Sequence, residues 1–423
     1  MSASTDIVIC HPLRTPVGAF GGDLADVPVT DLTSGLLSEL VRRADLGEGD
    51  VDDVIVGQCS PNGEAPALGR IAALDAGLGV GVPGMQIDRR CGSGLMAVLI
   101  GAMQVRSGGA RLVVAGGAES LSQAEHYALG LRRGIRGDGV ELMDRLARGR
   151  ATAGGKRHPV PGGMIETAEN LRRDYAISRE AQDALALASQ QRWAAAHEAG
   201  RFADEIVAVT VPQRSGEPRV VAVDGHARPE TTAEALARLR PVRAGVDPDA
   251  TVTAGNASGQ NDGAALCIVT SRDEAARRGL DAFLTLRGWA LAGVPPETMG
   301  IAPVPATRQA LARAGVRLEE VDLIELNEAF AAQVLACLTD LGVDPGDERL
   351  NPNGSGISRG HPVGATGARI LATMAHELRR REGRYAVETM CIGGGQGLAA
   401  VFERADFAPG RARSSVPFEL GMA

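Results

Sequence analysis

The stretch GDVDDVIVGQ (Gly49–Gln58) returns in altered form as EEVDLIELNE (Glu319–Glu328), with Val51 and Val321 in the same place 270 positions apart. Each copy is a Val-Asp step followed by a short apolar run, the pattern of a buried strand. Adding the same 270 positions to Cys91 gives His361. From these residues CGSGLMAVLIGAMQVRSGG leads to VVAGGAES, and HPVGATGARILATMAHELRR leads to ETMCIGGGQG, a helical pattern and then a strand ending in glycines in each case. The pattern is that of a duplicated α/β unit, and duplication brings equivalent loops of two copies to one interface. Cys91 and His361, each opening a helix, are expected to face each other across a pseudo-two-fold axis.

Composition divides the chain into three zones. Residues up to about 120 and from about 254 onward are rich in Gly, Ala and Val and alternate strand-like with helical runs, whereas about 122–253 is charged and irregular. The expected organisation is 1–121 plus 254–282 as one half, 122–253 as an inserted loop domain, and 283–423 as the other half.

Several function classes lose support. A net charge of −8 over 423 residues argues against general nucleic-acid binding. No apolar stretch reaches the about 18 residues of a membrane span, and MSASTDIVIC lacks a basic leader pattern, so no membrane association and a cytoplasmic location are expected. The six cysteines show no C-x-x-C spacing and the seven histidines form no ligand pair, which leaves no support for a metal site or a disulfide framework. Lys156 is the sole lysine and sits in a Gly/Arg-rich loop, a poor setting for Schiff-base chemistry. Between Leu131 and His158, eight Arg/Lys stand against three acids, read either as a solvated loop or as a landing zone for an anionic ligand.

Four residues carry the chemistry. Cys91 in DRRCGSGLM lies at a helix start beside Arg89 and Arg90, which should lower its pKa and make it a nucleophile; a small apolar filler is the alternative. His361, between Gly360 and Pro362, is suited to hold a thiolate or polarise a carbonyl, unless it is structural. Cys391 stands against bare glycine backbone, where a thiol can move protons and the N–H of Gly393 can help form an oxyanion pocket. Asn327 in ELNEAF is a further polar stabiliser or a capping asparagine. GISRG (Gly356–Gly360) matches G-x-S-x-G, but the preceding NPNGSG is a poor strand, so Ser358 is not read as a hydrolase nucleophile.

Together, RTPVGAFGG from Arg14, CGSG at Cys91, GGAESLS from Gly116, TAEN from Thr167, SREAQD from Ser178, GNASGQNDGAA from Gly255, NEAF from Asn327, GHPVGATG from Gly360 and CIGGGQG from Cys391 resemble the thiolases, or acetyl-CoA C-acyltransferases. The resemblance implies a duplicated, five-layered αβαβα core with an inserted loop domain that covers the active site and binds coenzyme A. It implies CoA-dependent cleavage of a 3-ketoacyl-CoA or the reverse Claisen condensation, through an acyl-cysteine. CoA and acyl-CoA would be substrates, with no permanently bound cofactor and no metal, in a homodimer or homotetramer. Cys91 resembles the acylated nucleophile, His361 its activator and Cys391 the acid/base. His361 and Asn327, the latter through a water, would stabilise an enolate oxygen; the N–H groups of Cys91 and Gly393 would form a second oxyanion hole. Ser258 and Arg228 match CoA contacts, and Met164, Met299, Ala329 and Phe330 match the lining of the acyl and pantetheine pocket.

Asp88, Gly163, Ile165, Arg243 and Arg359 depart from the family pattern, the last replacing a usual aliphatic residue. The basic middle segment, especially Arg132 to Arg157, is expected to help recruit the CoA phosphates, so that neutralising Arg132, Arg133 and Arg136 together should weaken CoA binding. A non-catalytic CoA-ester or lipid-binding protein on the same scaffold is the alternative, against which the intact catalytic quartet stands. Cys391 also speaks against the decarboxylating condensing enzymes, which lack a second catalytic cysteine in such a block.

Overall fold

The computed structural model describes residues 6–137 and 139–407. The chain ends assigned to the two halves (1–5 and 408–423) and Asp138 of the basic segment lie outside the described residues.

Apolar runs with period-two alternation become strands, as the sequence predicts. Among the described residues, nine strands run through one sheet: β1 (Ile7–Arg14), β2 (Asp53–Gly57), β3 (Gly84–Ile87), β4 (Leu112–Ser120), β5 (Asn261–Ser271), β6 (Ala282–Gly293), β7 (Leu323–Leu326), β8 (Tyr385–Ile392) and β9 (Gln396–Arg404). Their order is β7-β8-β9-β6-β1-β5-β4-β2-β3, and a two-residue strand, Gly18–Ala19, adds to β5. Symmetry is explicit in the pairing. From β1 outward the neighbours are antiparallel β5, antiparallel β4 and parallel β2; from β6 outward they are antiparallel β9, antiparallel β8 and parallel β7. The copies join where β1 runs antiparallel to β6, with Val8 opposite Thr285 and Ile9 opposite Leu284.

The repeated stretch therefore builds β2 and β7. Val56 pairs with Gly116 on β4, and its counterpart Leu326 pairs with Thr389 on β8. By that register Cys391 occupies the position of Ala118 in the first copy.

Alternate strand residues face different layers. Val54 and Val56 pack outward on helices Val29–Arg43 and Leu68–Asp75, while Ile55 faces the central helices Ser93–Arg106 and Thr366–Arg380. In the second copy Leu323 faces the same central pair, and Ile324 and Leu326 pack outward on Pro303–Ala314 and Ala331–Leu341. The two halves of this continuous sheet enclose the central helices and carry the outer helices on their other faces, so that helix, half-sheet, helix, half-sheet and helix form five layers. The central helices touch backbone to backbone near their N-terminal ends: a Cβ on Gly367 would lie 2.5 Å from Leu95 N, and one on Gly94 would lie 2.8 Å from Ala368 N.

Buried charge fastens the irregular middle segment to this core. Arg14 at the end of β1 binds Asp224 through two bonds of 2.6 and 3.0 Å and Glu205 through one of 2.6 Å. One guanidinium against two carboxylates would leave an unmatched buried charge. Arg359 supplies the match, 2.9 Å from Glu205 and stacked 4.5 Å over the Phe202 ring. An arginine at a usually aliphatic position thus makes a neutral, fully buried quartet that ties the second copy to the middle segment.

Burial alone would raise the Asp224 carboxyl, but Arg14 and Arg359 outweigh it and hold the group down to about 2, below its ordinary 3.8. A depressed carboxyl stabilises the fold above pH 3.8, and that contribution is lost as pH falls through about 2. Asp224→Ala is expected to cost about 3–5 kcal/mol in chemical denaturation at pH 7, because it strands buried arginines. Asp224→Asn should flatten the acid limb of the stability profile; a variant with wild-type stability and acid sensitivity would contradict the assignment.

Candidate active site

A cavity of about 830 Å³ opens where the two copies and the middle segment meet. Cys91, His361, Cys391, Gly393, Met164, Ser258, Met299, Ala329 and Phe330 all line it. Arg228 does not: it is exposed, and its guanidinium bonds the carbonyls of His226 and Ala227 at 3.2 and 3.3 Å. Arg132, Arg133 and Arg136 are likewise exposed and outside the wall, whereas Arg145, Arg148 and Arg150 from the same basic segment line it.

Cys91 lies in a single 3-10 turn, Arg90–Gly92, that runs into helix Ser93–Arg106. Arg90 adopts φ 50°, a left-handed conformation costly for a residue with a side chain. Asp88 stabilises the turn, its Oδ1 accepting the Arg90 N–H at 2.7 Å. The backbone N–H groups named as an oxyanion hole, those of Cys91 and Gly393, both act to lower the Cys91 thiol. The expectation of a lowered thiol pKa is not met. Burial raises the Cys91 thiol and outweighs the downward pull of the Gly393 N–H and of Arg90.

His361 departs from the expected helix start. It lies in the connection between the short turn Gly356–Arg359 and helix Thr366–Arg380. Gly360 before it has φ 90°, and a Cβ there would sit 2.6 Å from the Asn261 amide, which accepts the His361 N–H at 2.7 Å. The ring is fixed through Nδ1, 2.6 Å from Thr366 Oγ1. That hydroxyl donates its proton to Pro362 O at 3.0 Å, so the network assigns the Nδ1–H tautomer and leaves Nε2 as an acceptor. Burial, then Arg369 and Arg150, push the imidazole down to about 3, so it rests neutral.

Cys391 ends β8 with no exposed surface, and burial, then nearby Cys91 and Cys337, hold its thiol well above the ordinary range. Met164 packs its sulfur toward Gly393, where a Cβ would lie 3.3 Å away. Asn327 is fully buried, and neither polar atom of its amide has a protein partner among the described residues.

Two positioning groups escape a residue-by-residue reading. Glu119 at the end of β4 accepts the N–H groups of Cys59 (2.9 Å), Ser60 (3.1 Å) and Gly364 (2.9 Å), clamping a loop of each copy together. Burial lifts its carboxyl to about 7 against those three donors. Thr366 is the other. Both lie inside quoted blocks, GGAESLS and GHPVGATG, but only the fold shows what they hold. Among the departures, Arg243 pairs with Glu166 at 3.4 Å, Ile165 packs with Met164, and Gly163 has φ 61° against Arg150.

The chain matches the thiolase N-terminal domain over residues 7–273 and the thiolase C-terminal domain over 280–404. An acetyl-CoA acetyltransferase of Pseudomonas aeruginosa is 46% identical over 400 residues, 94% of this chain and 99% of the relative. A beta-ketoadipyl-CoA thiolase of Acinetobacter baylyi is 44% identical over 400 residues, 94% and 98% of the two chains. The crystal structure of the Bacillus anthracis acetyl-CoA acetyltransferase superimposes with a TM-score of 0.90 at 40% identity, covering 96% of this chain and all of that one. Human mitochondrial 3-ketoacyl-CoA thiolase gives 0.88 at 40% identity, covering 95% and 99%. Thiolases act on CoA esters without a permanent cofactor. By sequence, fold and the cysteine-lined cavity, this chain belongs to the thiolase family and is a thiolase.

Proposed function

We propose that Cys91 is the acylated nucleophile of a ping-pong thiolysis, with His361 as its proton acceptor and Cys391 as the acid/base that serves the leaving and entering groups. The observation that carries this reading is the convergence of Cys91, His361, Cys391 and Gly393 on one cavity. Burial disfavours both the Cys91 thiolate and the His361 imidazolium, so the resting pair is neutral. The Cys91 proton passes to Nε2 as sulfur attacks the 3-keto carbon, and the charge moves to the carbonyl oxygen rather than staying on sulfur. Two N–H groups, of Cys91 and Gly393, receive that oxygen, each contributing about 3 kcal/mol at the transition state. The C2–C3 bond then breaks. Its electron pair becomes the enolate of acetyl-CoA, which the neutral Cys391 thiol protonates at C2. Cys391 then takes the proton of a second CoA, whose sulfur collects the acyl group from Cys91.

The orphaned amide of Asn327 supports a role through water on the enolate oxygen, because a buried polar group without a protein partner calls for another. Met164, Met299, Ala329 and Phe330 form one apolar cluster with Cys391, suited to the acyl and pantetheine chains, and Ser258 lies beside them. Segment 122–253 acts as the cover, between halves 1–121 plus 254–282 and 283–423. Arg148 at the cavity wall, rather than Arg132, Arg133 and Arg136, meets the CoA phosphates. The six cysteines are all free, which suits a reducing cytoplasmic setting, and no described helix is long and apolar enough to cross a membrane. A homodimer or homotetramer is the proposed assembly, by analogy with the family.

Cys91→Ser should abolish CoA-dependent cleavage of acetoacetyl-CoA while leaving the fold intact by circular dichroism; retained turnover would rule out Cys91 as nucleophile. Thr366→Val removes the partner of Nδ1 and should lower kcat roughly 10- to 100-fold, the equivalent of about 1.5–3 kcal/mol, with KM little changed. Thr366→Ser should recover most of that loss. If the valine and serine variants behave alike, the hydroxyl does not orient the ring.

A further inference from the structure

Of the four arginines of the cavity wall, two are already answered. Arg145 is paired with Glu125 at 2.6 Å, and the Arg90 guanidinium contacts Cys59 Sγ at 3.7 Å and Gly149 O at 3.4 Å, with Asp88 beside its backbone. Arg148 is exposed at the rim. Arg150 is different: it is half-buried, lines the cavity, and its side chain makes no hydrogen bond or ion pair with any described residue. A guanidinium withdrawn from water with no carboxylate partner is costly unless an anion arrives to meet it.

Its place distinguishes which end of the substrate that anion occupies. Arg150 packs its Cβ against Gly163, next to Met164, whose sulfur in turn faces Gly393. Its charge is felt first by Asp144, which lies outside ion-pair distance and caps its own helix through the Leu146 N–H, and then at Cys59, Cys91 and His361. The last three are the groups around the scissile carbonyl and the acyl chain, whereas the phosphates of CoA lie a full pantetheine arm away from the reacting thioester.

We propose that Arg150 reads a carboxylate at the far end of the acyl chain, making the preferred substrate a 3-oxo dicarboxylic acyl-CoA. The assignment rests on the thiolase reading above and narrows its substrate class. The covalent steps are unchanged: Cys91 sulfur bonds C3, the C2–C3 pair leaves as the acetyl-CoA enolate and takes the Cys391 proton, and the carboxylated acyl group stays on Cys91 until a second CoA thiol removes it. Throughout, the distal carboxylate stays ionised against the guanidinium, a charge-assisted bidentate contact that an uncharged chain cannot make. Such an anchor discriminates strongly, because a chain ending in methyl leaves the arginine unpaired inside the cavity. The reaction that supplies this substrate would be oxidation of a 3-hydroxy dicarboxylic acyl-CoA.

The test compares kcat/KM for 3-oxoadipyl-CoA and for 3-oxohexanoyl-CoA, which has the same carbon count without the second carboxylate, in wild type, Arg150→Met and Arg150→Lys. Wild type should favour the dicarboxylic ester at least tenfold. Arg150→Met should erase that preference by raising KM for the charged ester, and Arg150→Lys should retain part of it. No preference in wild type, with 3-oxohexanoyl-CoA cleaved normally, overturns the proposal and leaves the thiolase reading standing. A uniform rise in KM for both esters and for free CoA in Arg150→Met would assign the arginine to a CoA phosphate and also overturn it. Failure of wild type on both esters and on acetoacetyl-CoA, with no acylation of Cys91, would remove the mechanism on which it rests.

Discussion

The close crossing of the two central helices is the constraint on which the site depends. Gly94 and Gly367 let the backbones of Ser93–Arg106 and Thr366–Arg380 meet at their N-terminal ends, at separations no side chain would allow. Because the loops entering those helices carry Cys91 and His361, the contact brings two residues related by the sequence duplication to one cavity. Glu119 reinforces it from β4 by binding the N–H groups of Cys59, Ser60 and Gly364, so that one buried carboxylate fastens the entrance loops of both copies. The third group, Cys391, arrives at the end of β8, beside Gly393 and under Met164. Each copy contributes a different part of one machine.

Burial sets the electrostatics of that machine. It raises both thiols and depresses the imidazole, and neither Arg90 nor the local N–H groups reverse the trend at Cys91. A neutral resting site follows, in which charge appears only as bonds change and only where donors wait for it. The middle segment is held to the core by opposite means, a compensated quartet of Arg14, Glu205, Asp224 and Arg359 that is buried from water. Pairing two arginines with two carboxylates makes this possible where a lone ion would not survive.

Much of this was legible in the sequence. The 270-position offset located β2 and β7 and hinted that Cys91 and His361 belong together, because strand periodicity and glycine placement are local signals. Cys391, Gly393 and the apolar lining were legible for the same reason: each lies in a short motif whose chemistry is carried by adjacent residues. Reach and environment were less legible. Arg228 folds back on its own backbone, and Arg132, Arg133 and Arg136 are exposed and do not line the cavity, since charge counted along a loop says nothing of where the loop turns. The Cys91 thiol is raised rather than lowered because burial depends on residues hundreds of positions away. Arg359 stood out in the sequence only as a departure from a usually aliphatic position, and its role as a tether to Glu205, a partner 154 residues distant, shows only in the fold.

Rapid mixing with acetoacetyl-CoA in the absence of free CoA, followed by acid quench and peptide mass mapping, tests the central claim most directly. An acetyl group on the peptide containing Cys91, formed within one turnover and discharged when CoA is added, is the result the account predicts. An acyl group on Cys59 or Cys391 instead, or turnover with no enzyme-bound acyl group at any time, would contradict it.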